Sequence, residues 1–216
     1  MEFGPIDIFV ISNLPVPVGL SILYKFFRKK ISFYLYFFYS TLGVSTHGIL
    51  DSFTSYGTML YWPFKNERVA WNLISIIDPI YTFILLVFFL FCFFRKSIKF
   101  CHFGLCFSCI YLFFCFVKYK QVIKIINDHS KFNAHKIERI LLNPTIGNNI
   151  LWRTVYKFKN NYYVNAVYVP YFAPPRIKEG KKIKFINKEK VFPNLPINSV
   201  QRNDIKRFSF FSQDFI

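Results

Sequence analysis

Apolar residues in the first half of the chain run in long blocks instead of alternating with polar ones. Ile8 to Phe26 is apolar, broken by Pro15 and Pro17, and Lys25, Arg28, Lys29 and Lys30 close it with charge. Ser32 to Leu50 forms a second block that ends in Ser45-Thr46-His47. A more polar connection, Asp51 to Ser75, leads to the clearest block, Ile76 to Phe94, with Asp78 and Pro79 near its start. Arg95, Lys96 and Lys99 separate this block from Phe100 to Val117. About 20 apolar residues, rising 1.5 Å each in a helix, cross the hydrocarbon of a bilayer, so the pattern predicts about four helical spans.

After Lys118 the period changes. Tyr119 to Ser130 sets Val122, Ile123, Ile125 and Ile126 at helical spacing. Ile150 to Phe158 and Tyr162 to Val169 are rich in β-branched and aromatic residues, and Lys159-Asn160-Asn161 between them is a hairpin signal. Pro170, Pro174 and Pro175 end the second strand, and the Lys-, Asn- and Pro-rich remainder reads as an extended or flexible tail. The fold class expected is mainly α: a helical integral membrane protein with about four spans, plus a small α+β C-terminal region containing a β-hairpin and a basic tail. The organisation expected is a transmembrane region over 1–117, a membrane-proximal α+β domain over 118–170 and a basic tail over 171–216.

Composition strengthens the membrane reading. Hydrophobic residues make up 53% of the 216, and 30 Phe with 14 Tyr exceed what one soluble core of this length needs. The net charge is +17, and Lys118 to Ile216 holds 19 Lys and Arg against 6 Asp and Glu. Beside apolar spans, such a surplus points to the bilayer and its anionic headgroups as partners. No recognition motif for nucleic acid accompanies it, so no nucleic acid is expected. The positive-inside rule places the short loops around Lys25–Lys30 and Arg95–Lys99 in the cytoplasm; four spans would then put the tail outside, whereas its own charge favours the cytoplasm. Cys92, Cys101, Cys106, Cys109 and Cys115 all lie within or beside apolar runs and read as small buried thiols.

Candidate chemistry concentrates between Ser45 and Tyr81. His47 and Asp51 are spaced i, i+4, so a helix projects both from one face. An imidazole and a carboxylate so placed can hold a divalent metal, or each other by hydrogen bonding. Asp78 precedes Pro79, which favours a helix N-cap; the alternative is a third carboxylate facing the His47–Asp51 pair. Ionisable groups at the edge of a span are costly and mark a functional site or a paired network. His102, His129 and His135 have no acidic partner at metal spacing and read as structural or solvated.

The run Thr46-His47-Gly48-Ile49-Leu50-Asp51-Ser52-Phe53-Thr54-Ser55-Tyr56-Gly57, followed by Leu60-Tyr61-Trp62-Pro63-Phe64, Trp71 and Ile76-Ile77-Asp78-Pro79-Ile80-Tyr81, resembles the YdjM-like, membrane-bound metal-dependent hydrolases of bacteria. Asn143-Pro144-Thr145, Leu151-Trp152-Arg153 and Tyr162-Tyr163-Val164 are similar to the soluble tail of the same proteins. The resemblance implies a multi-pass protein of the bacterial inner membrane that uses zinc or manganese to hydrolyse an ester, such as a phosphoester. It implies His47, Asp51 and Asp78 as metal ligands, with Asp78 also a candidate catalytic residue that activates water. The family's earlier His-Arg-Gly-x-Thr-His-Ser motif has no counterpart before Ser45, so the chain is expected either to begin late or to lack part of the site. The rival expectation is a non-catalytic or degenerate membrane scaffold protein of the same family.

Overall fold

The computed structural model describes residues 33–62, 64–186, 195, 196, 199–212 and 215. The first expected span, Ile8 to Phe26, lies outside them. The chain divides into two compact units, residues 1–72 and 73–216.

In the first unit, helix α1 runs over Phe33–Phe53. Past its end the chain folds back: Trp71 N–H donates to the Ser52 carbonyl at 2.7 Å, and Thr58 pairs with Val69 in an isolated antiparallel bridge. Gly57 makes the return possible. Its φ is +68°, and a Cβ there would collide with the Val69 carbonyl and Ala70. The Phe53 and Trp71 rings close the turn at 4.9 Å between centroids.

The second unit opens with a helical hairpin, α2 over Pro79–Arg95 and α3 over Ile98–Phe132. Pro79 occupies the first turn of α2, where its missing N–H costs nothing, and Lys96 ends the helix in the left-handed conformation. Stacked rings join the two helices, Phe88 on Phe107 at 5.3 Å and Phe91 on Phe100 at 5.5 Å. At Gly104 a Cβ would stand 2.8 Å from the Phe88 Cβ, so only glycine admits this approach.

The buried positions of α3 form one stripe: Gly104, Ser108, Cys115, Lys118, Val122, Ile126 and Ser130. Up to Lys118 the stripe is small or polar while the outward residues are Phe103, Leu105, Phe107, Ile110, Phe113 and Phe116, all exposed. Beyond it the stripe turns apolar. Water would drive those phenylalanines inward; a surrounding of lipid leaves them exposed, while small and polar groups fill the buried positions of the helix.

The apolar second half of the stripe packs on a four-stranded antiparallel sheet of order β1-β2-β3-β4: Arg139–Pro144, Leu151–Phe158, Asn161–Tyr168 and Arg176–Lys184. Val122, Ile126, Leu142, Trp152, Tyr156, Val167 and Val169 form this core. Each large side chain so buried contributes roughly 1.5–3 kcal/mol. The β2–β3 hairpin follows the sequence expectation, with Lys159 in the left-handed region at φ 52°. A helix, α4, covers Val200–Phe211, capped by the Ser199 hydroxyl on the Arg202 amide at 3.3 Å.

These elements correct the expected fold class. Among the described residues a single helix, α3, is long and apolar enough to cross a membrane. α2 is apolar but has 17 residues, and α1 has the length but carries Tyr34, Tyr39, Ser40, Thr41, Thr46 and His47. The described residues therefore do not form a mainly α, four-span protein; helices α2, α3 and α4 share the second unit with a substantial sheet. Phe100–Val117 and Tyr119–Ser130, expected as a span and a separate helix, are one continuous helix. Part of the expected tail is strand β4 and helix α4. The cysteine reading also changes: Cys92 and Cys101 are joined as a disulfide across the hairpin turn, with Cα atoms 5.9 Å apart, and Cys106 and Cys109 are exposed. Cys115 is buried, as expected.

Candidate functional site

Two polar clusters contain the residues singled out by the sequence, one in each unit. In the first, His47 and Asp51 lie one turn apart on α1, with the imidazole Nε2 3.5 Å from the carboxylate Oδ2. Their side chains are 71% and 37% exposed, so both are reachable from outside. Neighbouring polar groups are turned inward on the helix itself: the Ser52 hydroxyl donates to the Gly48 carbonyl and the Thr54 hydroxyl to the Asp51 carbonyl. The His47 and Asp51 side chains are thus left to face each other.

In the second unit Asp78 is 4% exposed and caps α2. Its Oδ1 accepts from the Tyr81 amide at 3.0 Å, and its Oδ2 accepts from the Tyr111 hydroxyl at 2.8 Å. The Tyr111 oxygen in turn accepts from the Asn149 side-chain amide at 3.1 Å, which also reaches the Cys115 sulfur at 2.8 Å. Alongside, the Ser108 hydroxyl donates to the Tyr81 oxygen at 2.8 Å. The β1–β2 loop closes the cluster: Gly147 N–H donates to the Ile77 carbonyl at 3.0 Å, and Trp152 Nε1–H to the Asn149 carbonyl at 3.1 Å. Both carboxylate oxygens of Asp78 are thus occupied, one by a backbone donor of the helix start and one by a side chain of α3.

The fit of these residues to a metal differs between the clusters. His47 and Asp51 are donors of the right kind, accessible and on one helix face. Each Asp78 oxygen already accepts a hydrogen bond inside the protein. Among the described residues, no three His, Cys, Asp or Glu side chains are grouped as metal ligands.

Tyr111, Asn149 and Ser108 escaped the sequence reading. Ser108, Tyr111 and Cys115 recur at i, i+3 and i+7 within an apolar run, which places them on one helix face and is the signal that finds them. Nothing local to Asn149 points to Tyr111, 38 positions away.

The family model described as YdjM inner membrane protein matches residues 12–122, just over half of the chain, and spans both clusters apart from Gly147, Asn149 and Trp152. No curated protein and no solved structure matches.

Proposed function

From the premise that the chain belongs to the YdjM inner membrane protein family, we propose that it is a membrane-bound hydrolase of the metal-dependent type. His47 and Asp51 would hold the metal, zinc or manganese. The observation that carries this reading is the accessible His47–Asp51 pair on one face of α1, two donors of suitable chemistry that face each other. A divalent metal bound there would polarise an ester or phosphoester and acidify a water. His47 and Asp51 would position it, each restrained by one turn of helix. In this reading Asp78 is a positioning residue: it fixes the start of α2 and the hydroxyl of Tyr111.

One observation favours a second reading, a non-catalytic membrane scaffold of the same family. Asp78, the third candidate, is bonded as a structural cap. Metal content of the detergent-purified protein separates the two. Near-stoichiometric zinc or manganese in the wild type, lost in His47→Ala/Asp51→Ala and retained in Asp78→Asn, is the expected result. Background metal in all three proteins would leave the scaffold reading standing.

A further inference from the structure

The end of the sheet nearest the helical hairpin carries an exposed surface that neither cluster uses. Two loops meet there. The β1–β2 loop rests on the start of α2, with Gly147 bonded to the Ile77 carbonyl and to the Ser75 hydroxyl at 3.3 Å. The β3–β4 loop rests on α3: Lys118 Nζ donates to the carbonyls of Val169 and Pro170, both at 3.2 Å, and Tyr171 stacks on Phe114 at 5.7 Å. Lys118 is also where the helix surface changes from apolar outside to apolar inside. The loops therefore lie at the level where α3 leaves the hydrocarbon.

Their tips are apolar and point away from the core. Phe172 is 101% exposed, Ile146 74%, and Tyr171 and Tyr168 are exposed as well. Behind them, on the sheet face turned away from α3, the register sets Tyr168 beside Arg176, and Arg153, Ala166 and Lys178 in one row. Arg153, Arg176 and Lys178 are exposed, and none of the strand residues sharing the loop-end half of this face is acidic. At about 3.3 Å per residue these cations stand roughly 7 Å or less behind the strand ends, within reach of a headgroup layer for long basic side chains.

We propose that this end of the sheet is a second membrane contact, in which Ile146 and Phe172 enter the bilayer interface and Arg153, Arg176 and Lys178 hold anionic phospholipid headgroups. The contact continues the lipid-facing surface of α3, and its apolar tips with a basic fringe match the layered chemistry of an anionic membrane surface. It fixes the depth and tilt of the sheet, which one helix alone leaves free to pivot. The inference rests on membrane insertion of α3 and is independent of any metal at His47.

Full-length protein carrying Phe172→Trp, reconstituted in phosphatidylcholine vesicles with and without phosphatidylglycerol, tests the tips. Compared with the parent protein, the added tryptophan is expected to emit to the blue and to be quenched by lipids brominated near the headgroup end of the acyl chain. Water-like emission quenched by iodide would overturn the proposal. So would a tryptophan shielded from both quenchers, which would assign the loop to a second copy of the chain. Spin-labelled phosphatidylglycerol tests the fringe: the triple variant Arg153→Gln/Arg176→Gln/Lys178→Gln is expected to lose about five-fold in selectivity over phosphatidylcholine. Circular dichroism checks that this variant is folded, and unchanged selectivity in the folded variant would overturn the headgroup assignment.

Discussion

Replacing Asp78 with alanine removes two acceptors at once. The Tyr81 amide loses its cap, and Tyr111 loses the acceptor that orients it towards Asn149. A lost N-cap costs about 0.5–2 kcal/mol and a stranded buried donor about 1–3. Asp78→Ala is expected to destabilise the second unit by roughly 2–4 kcal/mol in detergent denaturation, and Asp78→Asn by less, because its amide oxygen still caps. At this scale the sequence spoke clearly where both partners are local. Asp-Pro foretells the cap, since Tyr81 is three residues on; Tyr111 is 33 residues away, and only the fold brings it there. His135 makes a second residue-scale case. Its ring stacks on Phe158 at 4.4 Å and meets the Tyr156 hydroxyl at 3.0 Å. Desolvation foremost, then the charges of Lys182, His129 and Lys159, hold its pKa below the usual value, against a smaller upward pull from Glu179. A base whose folded pKa is depressed takes up protons more readily when unfolded, so its contribution is fully present above pH ~6.5 and is lost as pH falls through the folded value. Thermal melts of the protein should weaken from neutral pH towards pH ~5, and His135→Phe should flatten that slope.

At the scale of elements, α3 shows how one helix serves two solvents. Its buried stripe keeps the same spacing throughout but changes from Gly104 and Ser108 to Val122 and Ile126 at Lys118. Gly104→Leu is expected to separate α2 from α3, because even a Cβ would overlap Phe88; overpacking of this kind costs about 1–3 kcal/mol. A lower yield of the Cys92–Cys101 bridge, read by thiol labelling after denaturation, would report that separation. The β2–β3 hairpin was legible because both strands are rich in β-branched and aromatic residues around an Asn-rich turn. Strand β4 was not. Arg176–Lys184 has Ile177 and Ile183 as its apolar side chains, and it is held by ladder bonds to β3 and by the His129–Glu179 pair at 3.3 Å. Gly180 sits where the β3–β4 register shifts, and a Cβ there would collide with the Val164 carbonyl, so a glycine in a charged run marked a bulge and not a flexible tail. The expectation of about four spans failed for a related reason. Block hydrophobicity counts apolar residues but not the length of helix that Asp78-Pro79 and Lys96 allow between them.

Taken whole, the molecule joins a stretch that carries the family match, residues 12–122, to a sheet that lies beyond it. The metal-site residues proposed above fall inside the matched stretch, and the basic sheet face falls outside, so their variants should separate: His47→Ala/Asp51→Ala is expected to leave lipid selectivity unchanged. The bridge between Cys92 and Cys101 bears on a different matter, the direction in which the chain is threaded during insertion. Protein disulfides persist where thiols are not kept reduced, so a bonded turn is expected on the exporting side of the membrane. The sheet, at the other end of α3, is then expected on the side of synthesis. Arg95, Lys96 and Lys99 form the short basic turn that the positive-inside rule counts, and this threading requires them to be translocated against it. Reporter fusions after Ile216 give the readout: a green fluorescent partner should glow and an alkaline phosphatase partner stay silent, the reverse pattern marking the opposite threading.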